Sequence, residues 1–171
     1  MKKIILAVLS VAAALSLCAC GSKEQKKEIP QIEPTELVTI DDVSAYAGYI
    51  PVIKETTRDN NISSVLYVSN PIGEYDPVEV KLIQFNDEMD YQQIYNYYSE
   101  QKSMREDAES LESLGQETYI AFPTIHVYDR GCLIEITAGS GSDDTQRQIL
   151  KQLAVNAASR LEEIVPEYKA D

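Results

Sequence analysis

His126 and Cys132 are the side chains of this 171-residue chain best suited to acid–base or nucleophilic chemistry. His126 is the sole histidine and stands between Ile125 and Val127. General acid–base work needs a positioned partner, and the local carboxylates are Asp129 and Glu135. Both are also ordinary residues for a hairpin, so a structural or surface histidine is the favoured reading. Cys132 opens a run in which Cys132, Ile134, Ile136 and Ala138 alternate with other residues. A thiol nucleophile needs a base and an oxyanion site, and no Cys–His signature surrounds this one. A small buried hydrophobe fits better. No catalytic residue is assigned.

Ion-binding patterns are equally weak. Gly139-Ser140-Gly141-Ser142 precedes a helix-like pattern, where main-chain amides can cradle an anion. It lacks a phosphate-loop lysine, and Asp143-Asp144 would repel phosphate, so it reads as a join with a cap. Asp41-Asp42, Asp87-Glu88-Asp90, Glu106-Asp107-Glu109 and Asp143-Asp144 lack the alternating spacing of a calcium loop. Acidic residues in first helical turns follow from the helix dipole alone. No metal and no cofactor is expected. Tyrosine is the unusual ingredient, with eleven copies against two Phe and no Trp. Tyr91, Tyr95 and Tyr98 fall on one helix face, whereas Tyr97 lies off it. Tyr97 is therefore the candidate for a partner-binding surface, since tyrosine offers an apolar body with a polar tip.

The elements that must carry these residues follow from periodicity. Thr39, Asp42, Val38 and Val43 have the spacing of a capped and stapled helix start, and Gly48 stops that short helix. Tyr49–Ile53 reads as an edge strand, because Pro51 cannot donate to a ladder. Ser64–Val68, Val78–Phe85 and Thr118–Phe122 read as strands. A long helix is expected from about Glu88 to Glu109, with Asp87 as its cap. Ile125–Tyr128 and Cys132–Ala138 flank the turn Asp129-Arg130-Gly131. Ser142 or Asp143 then caps a last helix, about Asp144 to Ile164, with an apolar stripe through Ile149, Leu153, Ala157 and Leu161. This order predicts an α+β fold, a mostly antiparallel sheet packed with two long amphipathic helices and a short N-terminal helix.

The first twenty residues read as an address. Met1-Lys2-Lys3 is basic, and Ile4–Leu17 is a 14-residue apolar run. That is the layout of a secretory signal, too short to span a bilayer as a helix. Leu17-Cys18-Ala19-Cys20 follows, and it resembles the lipobox of bacterial membrane lipoproteins. The resemblance implies cleavage before Cys20 and a diacylglyceryl group on its thiol. Leu17 then stands three residues before the modified cysteine and the small Ala19 directly before it. Cys18 fits poorly, because Leu17 would occupy the position that needs a small side chain. The expected division is a signal peptide over residues 1–19, the lipidated cysteine and a flexible tether over 20–35, and one extracytoplasmic domain over 36–171. The order of elements loosely resembles ectodomains of Gram-positive lipoproteins and, more distantly, PsbP-type folds. Neither likeness implies an activity.

A net charge of -13 disfavours nucleic acid as a partner, because phosphate binding needs clustered Lys and Arg. The expected partners are the membrane, through the lipid on Cys20, and an envelope protein. The expected function is therefore a lipid-anchored, non-enzymatic interaction module facing the extracytoplasmic side of the cell membrane. A small solute-binding lipoprotein is the alternative, and an envelope-acting enzyme ranks below it.

Overall fold

Alternation along Cys132–Ala138 puts Cys132, Ile134, Ile136 and Ala138 on one core-facing side of a strand. The computed structural model describes residues 30–85, 90–139 and 143–166. In chain order its strands are β1 (Pro51–Asp59), β2 (Ile62–Ser69), β3 (Val78–Gln84), β4 (Glu109–Leu111), β5 (Glu117–Ala121), β6 (Thr124–Asp129) and β7 (Cys132–Ala138). They form one sheet in the order β1-β2-β3-β7-β6-β5-β4. Every neighbouring pair is antiparallel. The helices are α1 (Pro34–Leu37), α2 (Ile40–Ala47), α3 (Tyr91–Ser103) and α4 (Asp144–Ile164). The α+β architecture is the expected one.

Register turns the alternation into two cores. Val80 pairs with Ile136 and Ile136 with Ile125, while Leu82 pairs with Ile134 and Ile134 with Val127. These side chains face α1, α2 and α4, where Leu150, Leu153, Ala157 and Leu161 of α4 complete the larger core. The opposite face buries Ile83, Leu133, Tyr119 and Tyr128 under Ile94 and Tyr98 of α3. Arg130 and Gly131, at φ 50° and 72°, make the tight left-handed turn that closes the β6–β7 hairpin at the Asp129–Cys132 pair.

Three boundaries differ from expectation. The helix expected over Glu88–Glu109 is shorter: α3 begins at Tyr91, ends at Ser103, and is capped by Asp90 rather than Asp87. Asp90 accepts from Gln93 N at 2.8 Å, and Gln93 Oε1 accepts from Asp90 N at 3.0 Å, a reciprocal cap. Asp87 and Glu88 lie outside the described residues. Glu109, the expected helix end, starts the edge strand β4 instead. The strand expected at Tyr49–Ile53 begins at Pro51 and runs on to Asp59.

The third difference concerns the approach of the chain to the domain, expected as tether through Thr35. Ile32 is 1% exposed and belongs to the larger core. Its N–H donates to Gln84 Oε1 at 3.1 Å, and Gln84 Nε2 donates to Pro30 O at 2.8 Å. A buried glutamine thus reads two main-chain groups of the incoming segment, as a neighbouring strand would. Arg58 adds an ion pair to Glu33. From Pro30 onward the chain is seated on the domain.

Candidate functional site

Strand register brings His126 to Glu135. Glu135 of β7 pairs with His126 of β6 on one side and with Lys81 of β3 on the other. His126 Nδ1 lies 3.2 Å from Glu135 Oε1, and Lys81 Nζ lies 2.8 Å from Oε2. The Tyr119 ring stacks on the imidazole at 4.3 Å between centroids. Beside them the hydroxyls of Thr124 and Thr137 are 2.8 Å apart. Together with Glu79 these polar groups line a shallow hollow of about 150 Å³. Burial pushes the Glu135 carboxyl up, but His126 and Lys81 outweigh it and hold the carboxyl below its usual range. Cross-strand charge pairing is what lets three ionisable groups share the floor of a sheet.

Of the two carboxylates named for His126, Glu135 is therefore the one that meets it. Asp129 points to the opposite face, by the alternation of β6. Cys132 shares that opposite face, 1% exposed within the larger core. Burial, and then the charge of Asp129, push its thiol up to about 12. The sheet itself separates the thiol from the imidazole. Among the described residues, no group of three or more His, Cys, Asp or Glu is arranged to hold a metal ion.

The tyrosines divide as helical phase dictates, with one exception. Tyr98 is fully buried and packs on Tyr119 and Tyr128 at 5.2 and 5.8 Å. Tyr95 packs on Tyr128 at 5.1 Å and donates its hydroxyl proton to Glu117 at 2.8 Å. Tyr91, expected on the same face, sits at the helix start and is exposed. Tyr97 is exposed at 37%. It stands on α3, the helix that covers the Tyr119–Leu133 face of the sheet.

A second surface lies at the edge of the sheet, along the strand expected there from Pro51 but longer than its residues indicate. The sheet ends on one side in β4, only 3 residues long, and on the other in β1, 9 residues long. Short edge strands block further pairing, whereas long ones invite it. Along β1 only Pro51 is buried. Ile50 is 78% exposed, and Val52, Ile53 and Ile40 are exposed beside it. Ile40 and Ile53 flank a groove of about 240 Å³ floored by Tyr67. Among the described residues, the only main-chain partner of β1 is β2. The polar run Lys54–Asp59 hid the length of this strand, since it shows no apolar alternation to signal it.

Leu17, Cys18, Ala19 and Cys20 lie outside the described residues. Among the described residues, no helix is long and apolar enough to cross a membrane. Comparison of the chain with protein-family models, with curated proteins and with solved structures finds no match.

Proposed function

We propose that the chain is a lipid-anchored protein, acylated at Cys20 on the extracytoplasmic side of the cell membrane, whose domain is a non-catalytic interaction module. The observation that carries the module reading is the long edge of β1 with its exposed isoleucines. An extended segment of an envelope protein would add as a further strand beside β1. Main-chain hydrogen bonds supply the affinity of such pairing, and side-chain pockets supply the selectivity. The groove between Ile40 and Ile53 is the pocket nearest that edge. Tyr97 and the polar strip lie on the face beside α3 and offer a second, weaker contact. The reading of the anchor rests on the spacing of Leu17, Ala19 and Cys20 after the apolar run.

Photocrosslinking in intact cells tests the module. A photoreactive residue at position 50 of the full chain should capture a discrete adduct, and Ile53→Asp should abolish it. The same residue at position 110, on the short edge strand β4, should capture nothing. Equal capture from both edges, or an adduct indifferent to Ile53→Asp, would refute pairing along β1.

A further inference from the structure

At the end of the sheet away from the β6–β7 hairpin, a cavity of about 150 Å³ opens where β3 begins and β7 ends. Its walls come from the end of α2, the start of α4 and the loop before β3. Tyr49 and Tyr75 form one wall, stacked at 5.3 Å with an interplanar angle of 17°. Val78, Ala138 and Ile149 provide hydrocarbon. Asp76 and Gln146 bring polar heads. Among the described residues, no Lys, Arg or His lines it.

Among the described residues, two polar atoms here are buried without a partner. Tyr49 is only 7% exposed, and its hydroxyl has no hydrogen bond. The side-chain oxygen of Gln146 is likewise buried and unpaired. Burying a polar group unsatisfied is costly, so two in one cavity point to an absent polar partner. Asp76 and Gln146 also converge on one spot. A Cβ at Gly139 would lie 2.1 Å from Gln146 Nε2 and 3.0 Å from Asp76 Oδ2. Gly139 holds φ +69°, where side chains are disfavoured, and the Gln146 amide takes the space that a side chain there would need. Asp76 is close enough to Tyr49 for its charge, after burial, to push the phenol up.

We propose that this cavity binds a primary alkylammonium group. Its three N–H donors match three oxygen acceptors: the carboxylate of Asp76, the amide oxygen of Gln146 and the hydroxyl of Tyr49. The alkyl part packs against Val78, Ala138 and Ile149, and the tyrosine wall favours a cation near its rings. Anions are repelled by Asp76. A bare divalent ion would want six or so oxygens and no hydrocarbon, which this wall does not supply. A cavity near this size takes a molecule of about six heavy atoms. The net charge of -13 raises the local concentration of cations. The proposal depends neither on the lipid anchor nor on the β1 edge.

Isothermal titration of the full-length protein with n-butylammonium tests it, alongside n-butanol and calcium chloride. Butylammonium should bind at one site, and the neutral alcohol about tenfold more weakly or not at all, because the charge-assisted bonds are lost. Asp76→Asn should weaken butylammonium about tenfold, and Tyr49→Phe about threefold. Glu112→Gln, an exposed carboxylate just past β4, should leave binding unchanged. Thermal melts of each variant confirm that it folds. Equal affinity for butanol, binding of calcium in place of butylammonium, or full affinity in Asp76→Asn would overturn the assignment.

Discussion

Arg160 of α4 grips the carboxylate of Asp42 in α2 through both terminal nitrogens, with Nη2 at 2.9 Å from Oδ1 and Nη1 on Oδ2. The same carboxylate accepts from Thr39 N at 2.7 Å and from Asn156 at 2.8 Å. Arg160 also donates to Leu37 O at 2.7 Å, at the end of α1. One ion pair therefore closes the cap of α2 and fastens α1 and α2 to α4.

That pair should make the protein acid-sensitive in a defined window. Burial pushes Asp42 up, but Arg160 and Thr39 outweigh it and hold the carboxyl at about 2, against an ordinary 3.8. The unfolded chain takes up the proton first as pH falls. The contribution is therefore complete above about pH 4 and disappears as pH drops towards 2. Asp42→Asn should cost about 1–2 kcal/mol at neutral pH, since Arg160 keeps one side in water. Urea denaturation near neutrality and in the acid window is the check. A variant as stable as the parent at neutral pH would show the pair to be inert.

Glu135→Gln should destabilise the domain by about 1–2 kcal/mol, because Lys81 loses its counter-charge on a partly covered sheet face. Adding Lys81→Met should restore part of that loss. A double-mutant cycle on denaturation midpoints gives the coupling, and additive effects would mean that the two do not interact.

Cys132 should resist alkylation in the folded protein and react rapidly in denaturant, since its thiol is both buried and pushed up to about 12. Mass-spectrometric labelling by iodoacetamide with and without urea measures this. Rapid labelling of the native protein would place the thiol at the surface.

On the proposed anchor, Cys20→Ala should abolish incorporation of a fatty-acid probe, whereas Cys18→Ala should leave it unchanged. Cys18→Ala retains Leu17 and Ala19 at the positions that the motif needs. Probe incorporation that follows Cys18 instead would move the modified residue.

Elements with a strong period and a clear stop were legible from residues alone. β7 runs over Cys132–Ala138 and α4 over Asp144–Ile164, as the apolar spacing indicates, and Thr39 with Asp42 forms the anticipated capping box. The single turn α1 was missed because Glu33-Pro34-Thr35-Glu36 is polar, and its place is fixed by the distant Gln84. The expected end of α3 lies too far along, since Met104, Arg105, Glu106 and Ala108 past Ser103 are good helix formers with no Gly or Pro to break the pattern. The exposure of Tyr97 followed from helical phase. The meeting of His126 with Glu135 and Lys81 needed strand register, which pairs β7 with β3 across 50-odd intervening residues. The cavity below Tyr49 and Tyr75 gathers residues from four separate segments, and no local pattern announces it.

The grip of Gln84 on Pro30 and Ile32 also has a mechanical meaning. Tension applied upstream of Pro30 meets those two hydrogen bonds, the grip of Arg58 on Ile32 O and Glu33, and the buried Ile32 before it reaches any strand pairing. β3 lies inside the sheet, bonded on both sides by β2 and β7, so the load is passed to the stiffest part of the domain. The seated segment works as a strain relief on a cable. A tug would have to strip the lead-in before it loaded the strands.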